Sequence, residues 1–157
     1  MFGTLNEQEI EELLHDELVG RIGCHAGDTT YVVPISYAYD GQFVYGRTFE
    51  GMKVALMRQN PAVCFQVDNT RNLANWKSVI GWGEVEELSD EAARKKALHC
   101  LNARLLPAIS SATMRVAAAW PFTDDEDDKA PGILFRIRLT TKTGRFERNN
   151  DGYFFAS

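Results

Sequence analysis

Residues 29–48 place the tightest constraint on what this chain can fold into. Thr29–Tyr39 is a β-branched and aromatic run, residues 42–48 are a second, and only Asp40-Gly41 separates them. So short a connection is expected to be a type I′ turn, with positive φ at both positions, and the two runs then form an antiparallel hairpin. A lone hairpin is marginal in water, so further strands are required. Residues 21–26, 62–68 and 76–88 read as three of them, with Gly81 and Gly83 marking a bend or bulge in the third. In residues 132–141, Ile133, Phe135, Ile137 and Leu139 alternate with Arg136 and Arg138, which makes a sixth strand with one buried face. The expected fold class is mainly β: a small antiparallel barrel with peripheral helices.

The helices are few. Thr4 and Glu7 have the spacing of a capping box ahead of Ile10, Leu13, Leu14 and Leu18, so a first helix is expected from about residue 5 to Leu18, with Gly20 ending it. A short helix is expected over residues 52–59, closed by Asn60-Pro61. Ser89 can cap a longer one over residues 90–106, with Ala93, Ala97, Leu98, Leu101 and Leu105 on its apolar face and Pro107 as its stop. Residues 69–75 read as a loop, residues 109–120 stay ambiguous, and residues 121–131 read as an exposed acidic loop. No repeat or linker divides the 157 residues, so one domain over 1–157 is expected.

Charge removes several function classes. Seventeen Lys and Arg stand against 22 Asp and Glu, a net charge of -5. The consecutive acids Asp124, Asp125, Glu126, Asp127 and Asp128 account for all of it, so the rest of the chain is neutral. Neither part has the basic footprint of a nucleic-acid binder. No apolar run reaches the roughly 18 residues of a membrane span, and the acidic residues 1–12 do not read as a secretory leader, so none is expected. Cys24, Cys64 and Cys100 have neither CxxC nor Cys/His ligand spacing, so no disulfide framework or metal site is expected, and the cytoplasm is the expected compartment.

Three segments carry candidate chemistry. In residues 45–53, a strand ends in a polar turn that feeds a helix N-terminus, with Arg47, Thr48 and Lys53 beside free amides. That combination suits a phosphate, though an ordinary strand–turn–helix with solvated cations fits the same spacing. Pro34, inside Val32, Val33, Pro34, Ile35, Ser36 and Tyr37, cannot donate to a ladder. It marks either a simple edge strand or a strand bordered by a flat ring bonded to its main chain. Trp76 and Trp82 flank Ser78, Val79 and Gly81, and either wall a ligand pocket or pack in a core or a dimer interface. His15, His25 and His99 lack metal-ligand spacing, and no GxSxG, HExxH or P-loop occurs. No catalytic side chain stands out, so an enzyme built this way depends on a cofactor.

The stretches VVPISYAYDGQFVYGRTFEGMK, NPAVCFQVD and SVIGWGEVEEL, in this order and spacing, resemble the flavin-binding split-barrel superfamily typified by pyridoxamine 5′-phosphate oxidase. The nearer likeness is to its oxidase-like group that includes nitroimidazole-resistance proteins. The resemblance runs from about Arg21 to Leu88. It implies a six-stranded antiparallel Greek-key split barrel that pairs into a homodimer holding two FMN molecules at the subunit interface. By the same resemblance, Val32 to Tyr37 lie along the isoalloxazine, partly through backbone bonds. Tyr45, Gly46, Arg47 and Thr48 form the turn facing the ribityl chain and phosphate. Gly51 and Met52 lead into Lys53, which matches a phosphate-binding lysine. Ser78, followed by Val79, falls where a polar residue contacts the flavin. Arg47 departs from the His usual in nitroimidazole-resistance proteins, Met52 replaces a common basic residue, and the oxidase's C-terminal substrate-binding arginine pattern is not evident in residues 135–157.

The expected protein is a cytoplasmic, homodimeric, FMN-dependent oxidoreductase acting on an unidentified small molecule, with NAD(P)H as a candidate electron donor and the physiological donor left open. A non-catalytic flavin module, or a split barrel that binds haem or a deazaflavin in the same groove, remains the alternative.

Overall fold

The computed structural model describes residues 1–105 and 132–149. The expectations for Pro107, for residues 109–120 and for the acidic loop 121–131 lie outside the described residues.

The elements in chain order are β1 (Phe2–Thr4), α1 (Glu7–Asp16), β2 (Val19–Ala26), β3 (Thr29–Tyr39), β4 (Phe43–Thr48), α2 (Met52–Gln59), β5 (Ala62–Asn72), β6 (Asn75–Glu87), α3 (Glu91–Leu105) and β7 (Ile133–Glu147). All strand pairings are antiparallel, in the order β1-β7-β4-β3-β2-β5-β6, and β6 also pairs with β7. That last pairing closes a six-stranded barrel. The seventh strand, β1, takes the edge of β7 that β4 leaves free beyond Arg138, pairing with residues 145–147.

The β3–β4 hairpin forms, but not through a type I′ turn. Residues 40–42 connect the strands, and Gly41 alone of them has positive φ (96°). The Asp40 carboxylate accepts the Gln42 and Phe43 amides at 2.9 and 2.7 Å, which holds the turn without a strained Asp40.

The capping box of α1 is Asn6 with Glu9, not Thr4 with Glu7, because Thr4 is committed to pairing with Arg145. The helix also stops at Asp16. Leu18 leaves it, and its carbonyl accepts the Tyr37 N–H at 3.2 Å, so β2 begins sooner than expected. Gly20 lies within β2, where a Cβ would come 2.3 Å from the Phe65 ring, and so serves close packing rather than helix termination. Residues 69–72 and Asn75 are strand and only residues 73–74 turn, so the expected loop is the tip of a β5–β6 ribbon. Asn69 to Asn72 are exposed, so this ribbon has no apolar alternation to betray it. Asp90, not Ser89, caps α3, accepting the Ala93 N–H at 3.0 Å.

The expected irregularity in β6 is present. The β6–β7 register slips between Trp82 and Gly83, where Thr140 is the extra residue of β7. A Cβ on Gly83 would lie 1.8 Å from the Arg138 carbonyl oxygen, so only glycine permits this close crossing.

One core fills the barrel, with Ile22, Val44, Phe65, Val67, Val79, Phe135 and Ile137 fully buried. Leu13 and Leu14 of α1 close one end, and Val54 and Met57 of α2 pack at the other. A second core lies outside the barrel wall, where Ala97, Leu98 and Leu101 of α3 cover Ala38, Tyr45 and Leu134. Arg104 of α3 donates to the His15 and Glu17 carbonyls and so ties α3 to the end of α1. Among the described residues, no helix is long and apolar enough to cross a membrane.

Candidate functional site

The barrel is open along part of β3. Over residues 29–36 it pairs with β2 on one edge, but β4 joins its other edge only at Tyr37, Ala38 and Tyr39. The Tyr37 N–H bond to Leu18 fixes which residues face β2. By the alternation of an antiparallel pair, the odd-numbered residues of β3 bond β2 and the even-numbered ones point away. Val32, Pro34 and Ser36 therefore turn their main chain toward the open edge. Pro34 sits where its missing N–H costs no ladder bond, so the position that looked awkward in sequence is the one that suits proline. The side chain of Val32 is 63% exposed.

Where β4 ends, Arg47 and Thr48 are both buried, Arg47 to 8% exposure. Strand alternation sends them to opposite faces. Arg47 follows Tyr45 on the face covered by α3, where burial and the nearby Arg94 cation push its guanidinium pKa down. The Thr48 hydroxyl donates to the Phe49 carbonyl at 3.3 Å. Gly51 is the N-cap of α2, with no side-chain cap and no acidic residue in the first turn. The amides at that end thus have no side-chain cap among the described residues, and the helix dipole adds partial positive charge. Lys53 lies in this first turn, half-buried. Burial pushes its pKa down, with the Cys24 thiol nearby in partial opposition. Among the described residues Lys53 pairs with no carboxylate. A half-buried cation without an acid, beside an uncapped helix N-terminus, is a place where an anion is stabilised.

The other predicted positions divide. Ile35 and Val79 are buried in the barrel core and can offer a ligand only their main chain. Tyr37 is also core, with its hydroxyl donating to the Leu14 carbonyl at 2.7 Å and its ring edge-on to Phe65. The Tyr45 hydroxyl is equally engaged, donating to Asp40 at 2.8 Å beneath α3, and burial pushes its pKa up. Gly46 makes room for Phe135, whose ring lies 2.4 Å from where a Cβ would sit. Val33 and Ser36 are half-buried on β3, and Met52 is exposed at the start of α2. Ser78 is half-buried and accepts a hydrogen bond from Gln66 Nε2 at 3.0 Å.

Gln66, Asp68 and Arg21 were not singled out from sequence, yet they surround Ser78. Arg21 Nη1 donates to Gln66 Oε1 at 3.2 Å and to Asp68 Oδ1 at 2.9 Å. Their signal is positional. Gln66 and Asp68 alternate with Phe65 and Val67 on β5, so they point outward, and Arg21 is the register partner of both Gln66 and Pro34.

The outer face around this polar group is apolar. Val32, Gly23, Cys64 and Trp82 form one cross-strand row over β3, β2, β5 and β6, and Pro34, Arg21, Gln66 and Ile80 form the next. Trp82 is 44% exposed. A cleft of about 440 Å³ between α1, the β5–β6 ribbon and the end of β7 is lined by Asp16, Arg71, Trp76, Lys77 and Glu147 among others, and none of the predicted site residues borders it.

A closed antiparallel barrel with one strand edge left open, and an uncapped helix end nearby, defines a split β-barrel. The chain belongs to the pyridoxamine 5′-phosphate oxidase family, whose model matches residues 6–146. A FAD-binding protein from Mesorhizobium loti has a similar structure, with a TM-score of 0.75, 30% identity, and coverage of 95% of this chain and 98% of that one. The FAD-binding protein from Mycobacterium smegmatis aligns with a TM-score of 0.67 and 25% identity over 94% of this chain and all of that one. An uncharacterized protein of Rhizobium meliloti is 32% identical over 85 residues, 54% of this chain. The match spans 56% of that relative's length.

Proposed function

We propose that the protein binds FMN and works as a homodimeric, FMN-dependent oxidoreductase on a small molecule. The observation that carries this reading is Lys53, a half-buried cation with no carboxylate partner among the described residues, set in the uncapped first turn of α2. This is an environment for a phosphate, and the open β3 edge supplies main-chain groups for a flat ring. Lys53 and the amides of α2 would hold the phosphate. Val32, Pro34 and Ser36 would border the ring through their main chain, and Ser78, three strands away on β6, would meet with its hydroxyl the ring held by the second copy. Arg47, turned toward α3, contributes positive potential from behind the turn. Redox chemistry comes from the flavin, which takes electrons from a donor such as NAD(P)H and passes them to the substrate.

A second copy completes the picture. The exposed row of Val32, Cys64 and Trp82, with Ile80 and Pro34 beside it, is an apolar sheet face of the kind that marks an interface. The polar group of Arg21, Gln66 and Asp68 at its centre gives a fixed register. A groove finished by a partner is open surface in one protomer.

The test is a visible spectrum after reconstitution, first with FMN and then with FAD. The names of the two FAD-binding structural relatives favour FAD as the competing ligand. Uptake of FMN with a yellow, two-band spectrum is expected, and a protein that stays colourless with both refutes the reading. Anaerobic addition of NADH or NADPH to the holoprotein then separates an oxidoreductase, whose flavin bleaches, from a flavin-binding module, whose flavin does not.

A further inference from the structure

Building on the flavin reading, we infer that Ser78 is held as a hydrogen-bond donor toward the ring, and that Gln66 and Arg21 are the positioning residues that fix its direction. Arg21 carries only donors, and an ionised Asp68 only accepts. The Gln66 amide lies between them, so only one of its two orientations is compatible with both neighbours. Its oxygen faces Arg21 Nη1 at 3.2 Å, and its NH2 faces Asp68 Oδ1 at 3.3 Å. The flipped amide would set N–H against guanidinium and oxygen against carboxylate.

That orientation also points Gln66 Nε2 at Ser78 Oγ, 3.0 Å away. Ser78 therefore already accepts on the protein side. Its own O–H donates to no acceptor among the described residues, and the space next to the Gln66 N–H is unfavourable for a second hydrogen. The hydroxyl proton is turned away from the network. Register and exposure place Arg21, Gln66, Asp68 and Ser78 on the outer sheet face that a second copy would cover; β6 lies three strands from the open β3 edge, so the ring that Ser78 meets is the one bordered by the partner protomer's β3. Ser78 thus presents a donor, not an acceptor, to a ring lying there.

The consequence concerns reduction. A flavin ring gains electron density at its carbonyl oxygens when it takes up electrons, so a fixed donor toward a carbonyl stabilises the reduced form more than the oxidised form. The chain Arg21–Gln66–Ser78 raises the flavin potential without touching the substrate.

The experiment measures the midpoint potential and visible spectrum of the reconstituted holoprotein for the parent, Ser78→Ala, Gln66→Glu and the double variant. The carboxylate of Gln66→Glu has no N–H, so the Ser78 hydroxyl turns back to it and stops donating outward. Each single variant is expected to lower the reduced-to-oxidised preference about tenfold, equal to about 30 mV for a two-electron couple. The double variant is expected to fall no lower than Ser78→Ala. Two results overturn the inference: an unshifted potential in Ser78→Ala, or a drop on Gln66→Glu that persists undiminished in the Ser78→Ala background, which would be a through-space charge effect. If Gln66→Glu does not fold, Gln66→Leu takes its place in the same cycle, with a smaller drop that also disappears without Ser78. A parent protein that takes up no flavin refutes the cofactor reading instead, so the two failures are distinct.

Discussion

Replacing Lys53 with Met separates the binding role of the residue from its structural cost. The methionine keeps the stem and removes only the charge. In the folded protein that charge is half-buried, lies in the first turn of α2, and has no carboxylate partner among the described residues. A charge-assisted bond to an anion contributes about 1.5–3 kcal/mol. At 1.4 kcal/mol per decade, its loss weakens FMN binding by about tenfold to 150-fold. The α2 amides remain in the variant, so binding weakens without vanishing. The assay is a fluorescence-quenching titration of apoprotein with FMN, repeated with riboflavin, which lacks the phosphate. Riboflavin affinity is expected to stay the same. An FMN affinity within twofold of the parent refutes the phosphate role of Lys53, and an equal loss for riboflavin refutes the argument that phosphate is what the lysine holds.

The same charge makes an opposite prediction for stability. Burial lowers the Lys53 pKa, so between the folded and unfolded values the unfolded chain binds more protons, and stability rises with pH. The cost of the buried charge is fully present below the folded pKa and disappears as pH climbs toward the ordinary lysine value. FMN affinity runs the other way, because the neutral amine no longer attracts phosphate. In the apoprotein at neutral pH, Lys53→Met is therefore expected to raise the melting temperature while it lowers FMN affinity. A variant that melts below the parent would show that the lysine is satisfied by contacts within the fold.

Three further expectations follow from the geometry. Gly83→Ala places a methyl 1.8 Å from the Arg138 carbonyl, so the β6–β7 closure has to shift; a loss of at least about 3 kcal/mol is expected, read as a lower denaturation midpoint, and a midpoint equal to the parent's would show that the crossing is slack. Burial alone would push the Asp40 carboxyl up, but the Phe43 and Gln42 amides, the Tyr45 hydroxyl and Lys96 outweigh it and hold the pKa low. Asp40 thus contributes stability that is present above its unfolded pKa and lost as pH falls through the folded one. Asp40→Asn is expected to flatten that acid limb of a stability–pH curve, and an unchanged limb would assign it to other carboxylates. Trp82→Glu sets a charge in the apolar row with Val32 and Cys64, and light scattering is expected to report monomer in place of dimer, with weaker FMN retention; a dimer that persists would place the interface on another face.

What the sequence discloses depends on whether a residue acts through local or distant neighbours. The β3–β4 hairpin, the Pro34 edge and the glycine-marked irregularity of β6 were legible because each is a backbone demand expressed in the residue that meets it. The turn between β3 and β4 was misread in detail because Asp40 meets the demand with its side chain, a solution that composition does not distinguish from positive φ. The β5–β6 ribbon was hidden by its exposure: with no face buried, Asn69 to Asn72 carry none of the alternation that identifies a strand. β1 was hidden by its length of three residues and by a partner more than 140 positions away.

The same division runs through the site. Lys53 could be picked out because strand, turn and helix start are contiguous, so spacing alone puts its cation near free amides. Tyr37 and Tyr45 could not be sorted from sequence, since both hydroxyls satisfy partners that the chain supplies from elsewhere in the fold, Leu14 of α1 and Asp40 of the turn. Gln66 is the clearest case. On β5 it looks like an ordinary outward polar residue, and its neighbours Arg21 and Ser78 come from strands on either side. Strand alternation alone puts the acceptor-only Asp68 beside it, two residues along β5, but only the register brings the donor-only Arg21 to the other end of its amide. A glutamine that in sequence is only an outward polar residue becomes, between Arg21 and Asp68, a group with a single allowed orientation, and it passes that orientation on to the hydroxyl of Ser78.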